Sequence, residues 1–241
     1  MKTHKIISVL SIFVILLFFN TNKINAQNSR LNFEIELTPK TALRKDIGNN
    51  TFSNLIKPVI LIDAGINIKY KIKEKFALGS GLFYAVDGFK LKEDFSNFSN
   101  MSDVDFSTNH TYHHIEIPIF SDLSFGYFYF KTGLAYQRLF LEKNTIKYKS
   151  LPDSIMGISK EQFIDNSNFT KGITELKEQN YRMNKIAFLL SFGKKYDISD
   201  KFYWAWAGQF KTGLLDLANI DNPVFKVYFY SVGINVKIGL K

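Results

Sequence analysis

The chain has 241 residues, of which 46% are hydrophobic and 16% aromatic, and it has no cysteine. This composition excludes a disordered protein, a disulfide scaffold, a cysteine nucleophile, a thiolate metal site and a lipid-modified N-terminal cysteine. The charge is +9, from 31 Lys+Arg against 22 Asp+Glu.

Residues 1–26 have the layout of a removable export signal. Lys2 and Lys5 make a positive start, Ile6 to Phe19 is apolar apart from Ser8 and Ser11, and Ala26-Gln27 is the expected cleavage point. A membrane helix needs about 20 apolar residues, and this run is shorter. Cleavage removes Lys2, Lys5 and Lys23 and leaves residues 27–241, one domain, with a charge of +6. No later stretch could span a bilayer as a helix. The exported domain is therefore either soluble or a barrel in a membrane.

After Gln27 the hydrophobic period is two, the period of strands. Leu31, Phe33, Ile35 and Leu37 alternate with Asn32, Glu34 and Glu36. A second stripe runs from Ile60 to Ile72 and a third from Phe76 to Val86. A fourth runs from Ile115 to Leu123, with Pro118 inside it and a bulge expected there. Phe128 to Phe140, Ile186 to Phe192, Phe202 to Leu214 and Tyr228 to Leu240 complete eight expected strands. Arg138 interrupts the alternation, which leaves the facing of strands five and six open.

The gaps alternate in length. Tight turns are expected at Lys73-Glu74, Ser124-Phe125-Gly126 and Asp197 to Asp200. Long polar connections are expected over Pro39 to Lys57, Lys92 to Thr111 and Lys143 to Asn180, and a short one over Ala218 to Asn222. Turns on one rim and loops on the other are the signature of an up-and-down barrel, and outer-membrane barrels have it.

The two stripes differ in chemistry. One is Ile, Leu, Phe, Tyr and Trp almost throughout. The other carries Gly and Ala with Asp63, Lys69, Asp87, Glu116, Asp122, Lys131, Gln209, Lys211, Asn235 and Lys237. Eight strands enclose room for side chains or one small ligand only. Small residues with opposite charges fit that lumen, and a full stripe of aromatics would overfill it. The expected fold is therefore all-β, an eight-stranded antiparallel up-and-down transmembrane β-barrel in the cell outer membrane. Aromatics at strand ends, such as Tyr127 to Phe130 and Phe202 to Trp204, match interfacial girdles.

Three segments carry a family resemblance: Ala64 to Tyr70 followed by Lys75 to Tyr84, His114-Ile115-Glu116-Ile117-Pro118-Ile119, and Phe128 to Tyr136. With these the chain resembles the small outer-membrane β-barrel domain proteins of the PorT-like family over Leu31 to Lys241. The resemblance implies an eight-stranded outer-membrane barrel, in some members linked to protein secretion. It departs from such barrels at its end, Gly239-Leu240-Lys241, where a terminal aromatic is common.

Chemistry is sparse. His113 and His114 precede Glu116, and His114 and Glu116 share a strand face, so they could act as a base and its orienter in a lipid-modifying enzyme. They are expected to be polar rim groups instead, because no serine motif accompanies them. His110, His113 and His114 lack carboxylates at a ligand spacing. No catalytic, cofactor-binding or metal-binding residue is assigned, and no cofactor is expected. The lysines at the turns, Lys71, Lys73, Lys75, Lys194, Lys195 and Lys201, are expected to form a solvated rim, with contact to membrane lipid headgroups as their functional reading, and an exported location argues against nucleic acid. The segment Lys143 to Asn180, with Phe163, Ile164, Phe169, Ile173 and Leu176, is the expected surface for envelope or secretion protein partners. Ser159 and Gln162 are placed to cap a short helix there. The expected function is a non-enzymatic outer-membrane barrel, structural, adhesive or part of a secretion machine. The alternatives are a lipid-modifying barrel enzyme and a soluble lipocalin-like carrier.

Overall fold

The computed structural model describes residues 30–47, 56–92, 105–151, 153–155, 157–179, 181–215 and 226–240. The expected signal, residues 1–26, and the expected gap Ala218 to Asn222 lie outside the described residues. The strands in chain order are β1 (Leu31–Ile47), β2 (Ile56–Lys57), β3 (Val59–Lys73), β4 (Phe76–Lys92), β5 (Asp105–Phe125) and β6 (Phe128–Ser150). They are followed by β7 (Ser154–Ile155), β8 (Ile158–Ser159), β9 (Phe169–Lys171), β10 (Asn184–Asp197), β11 (Phe202–Gly213) and β12 (Lys226–Leu240). Two short helices, α1 (Lys160–Ser167) and α2 (Ile173–Glu178), lie between β6 and β10.

Eight of these strands close a ring. The order is β1, β3, β4, β5, β6, β10, β11 and β12, with β12 pairing back to β1 and every neighbour antiparallel. All eight sequence stripes are in it. The turns fall within two residues of where expected, each slightly later in the chain. Phe125 pairs with Phe128 across Gly126-Tyr127, and Gly126 has φ 62°, which glycine adopts without strain. Ile198 N–H donates to Phe202 O at 2.9 Å to close β10–β11.

The strands are longer than the stripes on the loop side. β1 runs ten residues past Leu37, and β5 begins at Asp105. Pro39 and Lys40, expected in a loop, are in β1. The reason is that Thr38, Lys40 and Ala42 continue the inward alternation of Glu34 and Glu36. A strand needs the period of two and not apolar residues, so polar strand extensions read as loop.

Pro118 makes no bulge. The β4–β5 ladder lapses opposite Ile117 and Pro118, then resumes unshifted at Phe83↔Glu116. Ser80 Oγ donates to Pro118 O at 2.8 Å across the gap. Pro39 does the same in β1–β12, where pairing lapses at Thr38 and Pro39 and resumes at Lys40↔Gly233. A proline removes one donor without lengthening its strand, so the register is kept. The bulge lies elsewhere. His113 pairs with Leu141 and His114 with Leu139, which leaves Phe140 as the extra residue. It flips the phase of β6: Gln137 and Leu139 face in below it, and Glu142, Asn144 and Ile146 above it. Arg138 itself keeps phase and faces out.

Candidate functional site: a charged lumen under a loop-side plug

The side chains sort by parity onto two faces. Outward lie Phe33, Ile35, Ile62, Ile68, Leu82, Ile117, Leu134, Phe192, Trp206, Val232, Ile234 and Ile238, all exposed. Inward lie all ten polar residues assigned to the lumen from the sequence, and all are buried. Soluble barrels have the opposite order. On β6 the outward stripe climbs ten residues from Phe128 to Arg138. At about 3.3 Å per residue and a tilt of about 40°, that is roughly 25 Å, the height of an outer-membrane apolar band. At the turn edge, rings stack across strands: Phe128 on Phe192 at 5.8 Å and Tyr196 on Trp204 at 5.0 Å.

The lumen holds seven buried carboxylates, Glu34, Glu36, Asp63, Asp87, Glu116, Asp122 and, nearer the loops, Glu142. Against them stand six buried lysines, Lys40, Lys69, Lys131, Lys185, Lys211 and Lys237. On the turn side, Lys69 Nζ lies 2.6 Å from Glu34 and 3.1 Å from Asp122. Tyr203 OH donates to Glu34 Oε1. Lys131 Nζ reaches Glu36 at 2.9 Å, and Asn67 Nδ2 donates to the same oxygen at 2.7 Å. In the middle, Lys211 Nζ bridges Asp63 and Glu116, each at 2.9 Å. Lys40 Nζ joins Asp63 at 2.8 Å to Asp87 at 3.3 Å. Charges this deep are stable only when paired and hydrogen-bonded, and here each charge has opposite-sign partners from other strands.

Toward the loops the lumen turns apolar. Phe89, Tyr112, Leu139, Val227 and Phe229 face in, and Leu176 of α2, fully buried, fills the space between them. Lys185 sits at the boundary, with Nζ 3.3 Å from His114 Nε2, 3.8 Å from Asp87 and 5.4 Å from the Phe229 ring centre. The plug is anchored by local bonds. Gly172 N–H donates to Glu175 Oε2 at 2.6 Å, Tyr181 N–H to Leu176 O at 3.1 Å, and Leu139 N–H to Met183 O at 2.8 Å. Phe163 and Ile164 of α1 pack on Phe106, Ile146 and Leu151. The cap expected at Ser159 is present: Gln162 N–H donates to Ser159 Oγ at 3.3 Å, and Ser159 N–H to Gln162 Oε1 at 3.4 Å.

These contacts correct one expectation. His114 and Glu116 share a face but are not rim groups. His114 is 0% exposed and meets Asp87 at 3.4 Å, while Glu116 accepts from Lys211 and from Gln137 at 2.7 Å. They do not form a base–orienter pair with each other, because the lumen offers each a closer partner. His113 points outward, hydrogen-bonded to Tyr84 OH and, at 3.1 Å, to Thr111 Oγ1. His110, His113 and His114 therefore do not converge, and no metal-holding group of His, Cys, Asp or Glu occurs among the described residues. Of the apolar residues of the Lys143 to Asn180 segment, Leu176 is buried in the barrel's own mouth, Phe163, Ile164 and Phe169 are half-buried, and Ile173 stays exposed. Glu34, Glu36, Lys40 and Lys185 complete the network, and parity was the signal that could have found them.

No protein-family model and no curated protein matches the chain. Similar solved structures include the attachment invasion locus protein Ail of Yersinia pestis, at 10% identity and a TM-score of 0.36, covering 86% of this chain and 98% of that one. Neisserial surface protein A is similar at 11% identity and a TM-score of 0.38, covering 88% and 97%. The outer membrane protease OmpT of Escherichia coli is similar at 6% identity and a TM-score of 0.38, covering 87% and 96%. The barrel assignment rests on the closed strand ring and its two faces, not on these similarities.

Proposed function

We propose that this chain is a non-enzymatic integral barrel of the outer membrane, with its turns toward the periplasm and its loops outside. The observation that carries this is the inverted order of faces: a roughly 25 Å apolar outer band around a lumen of buried ion pairs. Membrane lipid is the partner that such a band requires, since only lipid removes it from water. Eight strands filled with side chains leave no aqueous channel, so a structural, adhesive or secretion-machinery role fits better than a pore. The resemblance of Ala64 to Tyr84, His114 to Ile119 and Phe128 to Tyr136 to PorT-like proteins favours the secretion role among these.

The lumen weighs against both alternatives. A lipid-modifying enzyme built on His114 and Glu116 needs them at the lipid face, and both are locked inside. A lipocalin-like carrier needs an apolar cavity, and the described lumen is filled by charges and plugged by Leu176. The test is gel mobility of the protein from isolated outer membranes, boiled against unboiled. A heat-dependent shift in the membrane fraction is expected. Recovery in the soluble periplasm without a shift would overturn the reading. Unchanged envelope lipids when His114 and Glu116 are both replaced by Ala are expected; a changed lipid profile would restore the enzyme.

A further inference from the structure

The outward stripes of the ring strands carry almost no charge between their rims. Arg138 is the exception that marks a level. It faces out on β6, ten residues above Phe128, at the loop-side border of the apolar band. Its cross-strand neighbours are Ile115 on β5 and Asn184 on β10. Arg138 Nη1 donates to Asn184 Oδ1 at 3.3 Å, and Tyr136 OH donates to the same oxygen at 2.7 Å. One carbonyl oxygen thus orients both side chains. Among the described residues no carboxylate pairs with Arg138. A guanidinium has five N–H donors in a planar fork, so most of those of Arg138 remain for a ligand.

A cation at the edge of a lipid-facing band meets headgroups, and a planar fork matches phosphate oxygens two at a time. The surroundings fit a lipid. Below Arg138 lie Tyr136 and Leu134, both exposed, for an acyl chain. Lys143, exposed three residues beyond the Phe140 bulge, adds positive charge on the loop side. Asn184 is a poor substitute for a counter-ion but a good positioner, because it holds the arginine without neutralising it.

We propose that Arg138, oriented by Asn184 and Tyr136, binds the phosphate of a lipid headgroup in the loop-side leaflet. This rests on the reading of the outer wall as lipid-facing. Asn184 and Tyr136 are positioning residues; the arginine makes the contact.

The experiment uses the mature barrel in detergent, with heat-dependent gel mobility recorded first for every variant. Native mass spectrometry then measures retention of phosphatidic acid, of diacylglycerol with the same acyl chains, and of inorganic phosphate. Wild type is expected to prefer phosphatidic acid over diacylglycerol, and Arg138→Gln to weaken phosphatidic acid alone by about tenfold, the scale of one charge-assisted contact. Asn184→Ala is expected to lose less, and Arg138→Lys, which keeps charge without the fork, to fall between. Equal retention of phosphatidic acid by wild type and Arg138→Gln would overturn the site. Displacement of the lipid by equimolar inorganic phosphate would mean a free-anion site and overturn the lipid assignment. Absence of the heat shift in wild type would instead remove the membrane reading itself, a separate result.

Discussion

The two ends of the lumen are built by different means. The turn-side and middle lumen is ionic, with lysines and carboxylates from facing strands in contact, as in Lys211 with Asp63 and Glu116. The loop-side mouth has an apolar centre, with Glu142 and Asn144 buried on β6, and its central side chain, Leu176, comes from a short helix outside the ring. The ionic half is held by strands whose positions the ladder fixes, so each ion pair depends on closure of the whole ring. The apolar half is lined by ring side chains and closed by a segment that is tied to the ring mainly at β6, through β9 pairing and the Leu139–Met183 bond. Removing a group from the first is expected to weaken the barrel; removing one from the second is expected to loosen the plug.

The largest test of that difference is Lys211→Met. It leaves Asp63 with Lys40 and the Val86 N–H, and Glu116 with only the Gln137 amide, a buried charge without its cation. A loss of about 3–5 kcal/mol in barrel stability is expected, read as a lower urea midpoint for unfolding from lipid vesicles. A midpoint unchanged from wild type would mean that the lumen is hydrated enough to do without the pair.

Ile234→Arg challenges the outer wall on the same strand as Asn235. An arginine near the middle of the band costs about 2–4 kcal/mol in a bilayer. The same urea titration measures it, and a cost near zero would mean that β12 does not face lipid. Next in size is Leu176→Ala. Core Leu→Ala changes cost about 2–5 kcal/mol, and the low end is expected here because the cap can settle into the space. The loss should appear as faster hydrogen exchange over 169–183 with the urea midpoint of the ring unchanged. A shifted midpoint would show that plug and ring are one cooperative unit. The smallest effect is expected for Ser159→Ala, about 1 kcal/mol of helix capping, confined to exchange in α1.

Some of this architecture is readable along the chain because it is local or strictly periodic. Alternate residues of a strand face opposite sides, so Asp63, Lys69, Glu116 and Lys237 could be assigned to the lumen before any partner was known. The Ser159–Gln162 box spans three residues and needs no tertiary context. The extension of β1 through Lys40 was not readable, because a polar residue on a lumen-facing parity looks the same as a loop residue. The Phe140 bulge was not either: an extra residue in a ladder is defined by the partner strand, and Arg138 drew attention to the wrong position.

By itself the sequence determined the number of long strands, their tight turns and which stripe is charged, since each follows from period and residue type. Only the tertiary structure decided which charges meet. Lys69 and Asp122 are far apart in the chain, yet lie 3.1 Å apart, because ring closure and register set cross-lumen neighbours. It also decided that His114 goes to Asp87 and Lys185 rather than to Glu116, and that Leu176 leaves its loop to fill the mouth. Such pairings depend on the geometry of the closed ring as a whole, which no stretch of sequence contains.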